Sequence, residues 1–224
     1  MPAFIAFEIL FFIFAGVCFF TASYAQNKQH KQLKHIEDYN FHPAIKDKLK
    51  KQHPLLPDAQ LDLVIKGLRD YFHICNKAQG KMVAMPSQAV DDAWHEFILF
   101  SKVYEEFCQN ALGRFLHHTP AEVMPTPTSA QDGIKRAWRL ACAKEKIDPK
   151  KPNKLPLLFA IDSQVNIDGG FIYKLDCMAL AAKSNAYCAS HIGCGGGGGC
   201  GGSGGGSGGD GGCGGGCGGG CGGG

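Results

Sequence analysis

The chain has 224 residues and a formal net charge of +3 at pH 7, and the unusual composition of both ends leaves about 150 residues for one globular domain. This small charge does not indicate a nucleic-acid partner, and the sequence has no RNA-binding signature, helix-turn-helix recognition face or zinc-finger spacing. It also lacks the G-x-S-x-G, H-E-x-x-H, P-loop and dinucleotide-binding motifs, so the motifs predict no reaction and leave open whether the chain is an enzyme.

The first segment of the chain is strongly apolar. Residues 3–25 carry one charged side chain, Glu8, and the run from Ile9 to Phe20 is apolar throughout. About 20 apolar residues span the roughly 30 Å hydrocarbon core of a bilayer, so residues 3–25 are predicted to form a transmembrane anchor in contact with membrane lipid. The alternative is a signal peptide cleaved near Ala25, which would make the protein secreted, although no Lys or Arg precedes the apolar run.

A basic stretch follows this segment. Residues 26–40 contain Lys28, Lys31 and Lys34, whereas no Lys or Arg lies on the other side of the apolar run. Because cytoplasmic flanks are enriched in Lys and Arg, the sequence predicts a single-pass membrane protein. Its body and C-terminus would face the cytoplasm.

Residues 41–192 are expected to form a compact and mainly α-helical bundle. Prolines and small polar residues mark the helix starts, and apolar side chains recur with helical spacing. The predicted helices begin at Pro43, Pro57, Ser87 and about Ala130, with a last one from about Asp176. The run from Leu155 to Ile161 fits either a strand or a buried helical turn, so a small hairpin between Leu157 and Tyr173 stays open.

The stretch from residue 86 to residue 120 has the densest apolar periodicity. Ser87 is predicted to cap a helix that Gly113 ends. His95 falls on the opposite side from the apolar face, close enough to Asp91 for a hydrogen bond. The buried face is predicted to contain Val90, Ala93, Trp94, Phe97, Phe100, Ser101, Tyr104, Phe107, Cys108 and Ala111.

The same stretch carries a recognisable pattern. It reads Val90-Asp91, Trp94-His95, Phe97-Ile98-Leu99, Tyr104, Phe107-Cys108, Gly113-Arg114-Phe115 and His117-His118-Thr119-Pro120. This pattern resembles the glycine-rich domain-containing protein-like family in its bacterial form. The resemblance implies a helical domain followed by a glycine-rich end, and it implies no particular activity.

Residues 193–224 are almost entirely glycine and are predicted to be disordered, because such a segment buries too little apolar surface to offset its backbone entropy. Thiolates on this tail could bind Zn²⁺ or Cu(I). Their spacing differs from the C-x₂-C spacing of structural zinc sites, so intermolecular disulfides, lipidation or a spacer role are alternatives. The tail cysteines are Cys194, Cys200, Cys213, Cys217 and Cys221.

The side chains of His95, Cys108, His117 and His118 are further candidate metal ligands, since imidazole and thiolate both bind transition metals. In a continuous helix His95 and Cys108 would lie about 20 Å apart along the axis, too far to share an ion. His95 could meet His117 or His118 only if the helix breaks, and Ser101 is the expected point. A smaller site of Cys108 with either histidine is within reach, and otherwise the histidine pair would cap the helix end.

Three functions stay open on this evidence. The first is a membrane-anchored, non-catalytic interaction module whose helical body binds an unidentified protein and whose thiol-bearing tail binds metal or another chain. The second is a metal-dependent enzyme that uses His95 with His117 or His118. The third is a precursor whose glycine- and cysteine-rich tail is modified or cleaved.

Overall fold

The computed structural model describes residues 2–119, 127–175, 187–189 and 192. This part of the chain is mainly helical, and its two short strands pair in parallel with Tyr173 opposite Tyr187. The helices are α1 (Pro2–Asp38), α2 (Pro43–Gln52), α3 (Asp58–Lys77), α4 (Gln88–Ile98), α5 (Ser101–Leu112), α6 (Pro127–Lys144) and α7 (Leu157–Val165), and the strands are β1 (Tyr173–Lys174) and β2 (Tyr187–Cys188).

Helix α3 lies at the centre of the domain. It contacts α1, α2, α4, α5, α6 and α7. Apolar residues recur along it at helical spacing, and the neighbouring helices bury them. Its Phe72 ring packs at centroid distances of 4.7 Å from Phe107, 6.0 Å from Phe97 and 6.3 Å from Trp94. These aromatic contacts between α3, α4 and α5 form the part of the core that lies beneath the candidate site.

Several predicted helix ends are formed by the residues expected to form them. The Ser87 side chain accepts a hydrogen bond from the Val90 amide at 3.1 Å and caps α4. Gly113 ends α5 in the left-handed conformation, with φ of 70°. Pro43 is the first residue of α2, where proline costs no hydrogen bond.

The segment that fitted either a strand or a helix is helical. Helix α7 occupies Leu157–Val165 and ends at Asn166, which adopts φ of 52°. The suggested hairpin between Leu157 and Tyr173 is therefore wrong, and β1 instead pairs with β2. Both the helix expected from Asp176 and the tail of residues 193–224 lie outside the described residues.

The predicted transmembrane anchor is also wrong. In the described part of the chain, no helix combines the length and the apolar character that crossing a bilayer requires. Residues 3–25 belong to α1, which continues beyond the apolar run to Asp38. The finding removes the basis for a single-pass membrane protein with a cytoplasmic body.

The second half of α1 packs against the domain. Ile36 is fully buried, and the Gln32 carboxamide oxygen accepts a hydrogen bond from Asn76 of α3 at 3.1 Å. α1 also contacts α5. The basic stretch of residues 26–40 is thus largely part of a helix that helps to cover the core.

Candidate functional site

The helix that carries His95 is held firmly at its N-terminus. Asp162 of α7 is buried, and its carboxylate accepts hydrogen bonds from the Ser87 hydroxyl at 2.6 Å and from the Gln88 and Ala89 amides at 2.7 and 3.1 Å. A fourth bond comes from the Phe171 amide at 2.8 Å. A carboxylate at this position also interacts favourably with the helix dipole, so α7 fixes the start of α4.

The long helix expected from Ser87 to Gly113 is divided into α4 and α5. Leu99 ends α4, and Phe100 leaves the helical conformation with φ of −85° and ψ of 57° before α5 begins at Ser101. Ser101 is the first residue of α5 and not its cap, since Phe100 occupies the cap position. The break meets the condition under which His95 and the histidine pair could approach each other.

The loop after α5 is tied back to both helices. The Tyr104 hydroxyl donates a hydrogen bond to the Leu116 carbonyl at 2.5 Å and accepts one from the Trp94 indole at 3.1 Å. Burial raises the pKa of Tyr104, so its hydroxyl keeps the proton that it donates. The His118 ring then lies edge-on to Trp94, with centroids 4.7 Å apart.

This arrangement brings Asp91, His95 and His118 together. One ligand atom from each residue lies within 4.8 Å of the other two. The Asp91 carboxylate hydrogen-bonds Nε2 of His118 at 3.1 Å and lies 3.9 Å from Nδ1 of His95. The two imidazole centroids are 4.3 Å apart.

The group lies at the surface with one side sheltered. The side chains of Asp91 and His118 are 20% and 19% exposed, whereas that of His95 is 50% exposed. Burial raises the pKa of the Asp91 carboxyl, and positive charge on His95 or His118 would act in the opposite direction. The carboxylate is therefore poorly hydrated and is best stabilised by a cation.

The neighbouring Asp92 does not belong to this group. Its carboxylate pairs with Nε2 of His53 at 2.8 Å and accepts a hydrogen bond from Gln88 at 3.0 Å. Asp92 is buried, and its negative charge contributes to the raised pKa of Asp91. The two adjacent aspartates thus have different partners.

Cys108 and His117 are not in the group. Cys108 is fully buried, next to Tyr104 and the Leu116 carbonyl, and burial raises the pKa of its thiol. The exposed His117 ring packs on Phe115 at a centroid distance of 4.8 Å. The tail cysteines Cys194, Cys200, Cys213, Cys217 and Cys221 lie outside the described residues.

Asp91 was not among the ligands predicted from the sequence. Its spacing from His95 is a usable signal, because residues four apart on a helix share one face. His118 cannot be paired with Asp91 from spacing alone, since the contact depends on the helix break and the returning loop.

Two imidazoles and one carboxylate form a donor set suited to a transition-metal ion. A zinc ion with bonds of about 2.0–2.2 Å would hold its ligand atoms about 3.4 Å apart. The ligand atoms of Asp91 and His118 are 3.1 Å apart and those of Asp91 and His95 are 3.9 Å apart, both close to this value. Three protein ligands leave coordination positions open to solvent or substrate, as in catalytic metal sites.

Comparison with known proteins corrects the family assignment. A family model described as UCP032817-like matches residues 31–192, which include every residue of the candidate site. The resemblance to the glycine-rich domain-containing protein-like family was therefore wrong. It rested on a motif within residues 86–120, whereas the family model matches residues 31–192. No curated protein and no solved structure matches the chain. On the extent of this match, the chain belongs to the UCP032817-like family.

Proposed function

We propose that this protein binds a divalent transition-metal ion through Asp91, His95 and His118, and that the bound ion serves a metal-dependent reaction at its open coordination positions. The observation that carries the proposal is the convergence of the three ligand atoms within 4.8 Å. When bound, such an ion acts as a Lewis acid and lowers the pKa of a coordinated water to about 7.

The surroundings of the three ligands support this proposal. Asp91 lies in the first turn of α4, where the helix dipole favours the ionised carboxylate. Trp94 packs against His118 and shields one side of the site. This contact limits the positions that the His118 ring can adopt. The half-exposed His95 leaves the other side accessible to a small substrate.

The membrane anchor of the interaction-module hypothesis is contradicted. The thiol-mediated binding in that hypothesis and the whole precursor hypothesis depend on the tail of residues 193–224. That segment lies outside the described residues, so these hypotheses stay predictions. The metal-centre proposal depends only on described residues.

Titration of the metal-free full-length protein with Co²⁺ tests the proposal. Imidazole and carboxylate ligands give visible d–d bands, whereas thiolate ligands add intense charge-transfer bands in the near ultraviolet, so tail binding is recognised separately. We expect one Co²⁺ without charge-transfer bands in the wild type, competed by Zn²⁺. His95→Ala, His118→Ala and Asp91→Asn should each weaken this binding about a hundredfold or more, exceeding the effect of losing a supporting hydrogen bond.

His117→Ala is the matched control, because His117 adjoins His118 in the same loop and is not in the ligand group. It should bind Co²⁺ as tightly as the wild type does. Equal loss of binding in the His117 and His118 variants, or unchanged binding in the His95 variant, would contradict the proposed site.

A further inference from the structure

The first part of α1 is exposed on all sides. Every residue from position 13 to position 28 is exposed, whereas the second half of the helix packs against the domain. The large apolar side chains of this part are 56–76% exposed, and they are Ile13, Phe14, Val17, Phe19, Phe20 and Tyr24. Exposed apolar surface of this extent marks an interaction site, so a partner is expected to cover it.

Four of these side chains form a stripe along one side of the helix. They recur at steps of four, three and four residues, which is the spacing of the positions that pack together in a coiled coil. The α1 stripe consists of Ile13, Val17, Phe20 and Tyr24. Phe14 lies beside it at 3.6 residues per turn. The opposite side of the same stretch carries Phe19 and otherwise small side chains, namely Ala15, Cys18, Ala22 and Ala25.

The line of the α1 stripe stays exposed where the helix meets the domain. Continued at the same spacing, this line passes through Asn27, Lys31 and Lys34, and all three are exposed. The domain packs against a different side of α1, where Ile36 is fully buried. The domain therefore leaves both the stripe and its continuation uncovered.

The lysines decide how a second copy of α1 would be oriented. In a parallel pair, Lys31 of one chain would face Lys31 of the other, and the two charges would repel. In an antiparallel pair centred on the α1 stripe, Ile13 of each chain is level with Tyr24 of the other. Val17 is likewise level with Phe20, so the stripe is self-complementary, as a twofold-symmetric interface requires. The two Lys31 positions are then roughly 38 Å apart along the helix axis.

The apolar area of the stripe and its flank suits a stable dimer. Phe14, Phe20 and Tyr24 supply three aromatic side chains from each copy. Each such side chain buries roughly 150–250 Å² when it is fully covered. With Ile13 and Val17, the total approaches the roughly 1,200–2,000 Å² that specific protein interfaces bury.

We propose that a second copy of this chain covers the α1 stripe, in a twofold-symmetric dimer whose first helices pair antiparallel. Dimer formation removes the apolar side chains from water and keeps the lysines of the two chains apart. The proposed metal ligands lie on α4 and after α5, so this proposal is independent of the metal centre.

Sedimentation equilibrium of the full-length protein tests the proposal. The experiment is done without detergent and with a reducing agent, which excludes disulfides among the eleven cysteines. We expect the wild type to form a dimer. Phe20→Lys should weaken the dimer about a hundredfold or more, because it places a charge in the buried seam from both chains.

Phe19→Lys is the matched control. It makes the same change one residue away, on the opposite side of α1, and should dimerise as the wild type does. Both phenylalanines are exposed, so neither variant should unfold the domain, and circular dichroism checks this.

The salt dependence of the dimer distinguishes its two orientations. The Kd of an antiparallel dimer should change less than about threefold between about 50 and 500 mM NaCl, since its two lysine groups are far apart. A dimer that tightens strongly with added salt would be parallel, and that result would contradict the proposed pairing.

Three other results would overturn the proposal. They are a monomeric wild type, an assembly larger than a dimer, and equal loss of association in the two phenylalanine variants. Cosedimentation of a monomeric wild type with vesicles of phosphatidylcholine and phosphatidylserine would show that lipid covers the stripe in place of a second copy.

Discussion

At the residue scale, Asp162 connects the core to the candidate site. It is 3% exposed, and it satisfies donors from the cap and first turn of α4 and from Phe171. A buried carboxylate is normally unfavourable, and these hydrogen bonds offset its loss of hydration. Asp162 is thus the residue through which α7 determines where α4, and with it Asp91 and His95, begins.

Asp162→Asn should lower the free energy of unfolding by about 2 to 4 kcal/mol, because the amide has one acceptor oxygen where the carboxylate had two. Chemical denaturation followed by circular dichroism measures this change. Asp168→Asn is the control, since Asp168 is exposed just beyond α7, and it should change stability by less than about 0.5 kcal/mol. Similar stability of the two variants would show that the buried carboxylate is not needed.

The pH dependence of metal binding follows from Asp91. Burial raises the pKa of its carboxyl, so a proton competes with the metal at higher pH than for an exposed aspartate. Metal ligands must be deprotonated to bind, so affinity should increase as pH rises and should fall as pH drops into the range where Asp91 takes up its proton. Co²⁺ titrations across this range measure the change, and an affinity independent of pH would contradict the ligand set.

In the metal-free protein, the raised pKa of Asp91 makes the stability of the fold decrease as pH rises, whereas metal affinity increases. A carboxyl whose pKa is raised on folding binds its proton more tightly in the folded state. Its contribution to stability is therefore present below the pKa of an unfolded aspartate and is lost as pH rises through the folded value. Metal binding and proton binding thus stabilise the site in different pH ranges.

At the element scale, the close approach of α3 to α4 and α7 depends on Gly67. A Cβ atom at this position would lie 2.7 Å from Cγ2 of Val90 and 3.0 Å from Cδ1 of Ile161. Val90 is β-branched and fully buried, so it has little freedom to move away. The absence of a side chain at Gly67 therefore sets the distance between the central helix and the helix that carries Asp91 and His95.

Gly67→Ala should destabilise the fold by up to about 2 kcal/mol, since an overpacking cost of about 1–3 kcal/mol is offset by a gain of about 1 kcal/mol in helix propensity. Gly16→Ala in α1 is the matched control, because no heavy atom lies within 4 Å of its added Cβ. That variant should be neutral or slightly stabilising. Denaturant midpoints compare the two, and a Gly67 variant more stable than the wild type would contradict the proposed close contact.

At the scale of the whole molecule, a bound ion would join two segments that are distant in sequence. Asp91 and His95 belong to α4, whereas His118 follows α5, so metal binding closes the chain across the helix break. Any ligand that binds only the folded state raises stability in proportion to the logarithm of its concentration. Metal should therefore stabilise the domain as a whole.

At a free Zn²⁺ concentration of about 100 times the Kd, the expected stabilisation is about 2.7 kcal/mol, or a Tm increase of roughly 5–10 °C. Binding of Zn²⁺ to cysteines of the unfolded chain would reduce this increase. The measurement is therefore the difference between the wild type and His95→Ala, which contains the same eleven cysteines. Equal Tm shifts in both proteins would show that the stabilising ion binds elsewhere.

Local sequence signals were sufficient to predict much of the helical structure. Ser87 caps α4 and Gly113 ends α5 because cap residues act on the few backbone groups next to them. The stripe from Val90 to Ala111 is buried at most of the predicted positions, although Ser101 is exposed. Such signals describe one segment at a time. The apolar run at the start of α1 predicted a membrane anchor, and no helix in the described part of the chain is long and apolar enough to be one.

The sequence by itself determined that His95 lies on a helix that Ser87 caps, and that His117 and His118 follow a helix that Gly113 ends. Only the tertiary structure decided that α4 and α5 are separate helices, that His118 and not His117 faces His95, and that Asp91 completes the group. These choices depend on contacts between distant residues, such as the hydrogen bond from Tyr104 to Leu116 that holds the returning loop. Helical periodicity describes one segment at a time, whereas a metal centre forms where separate segments meet.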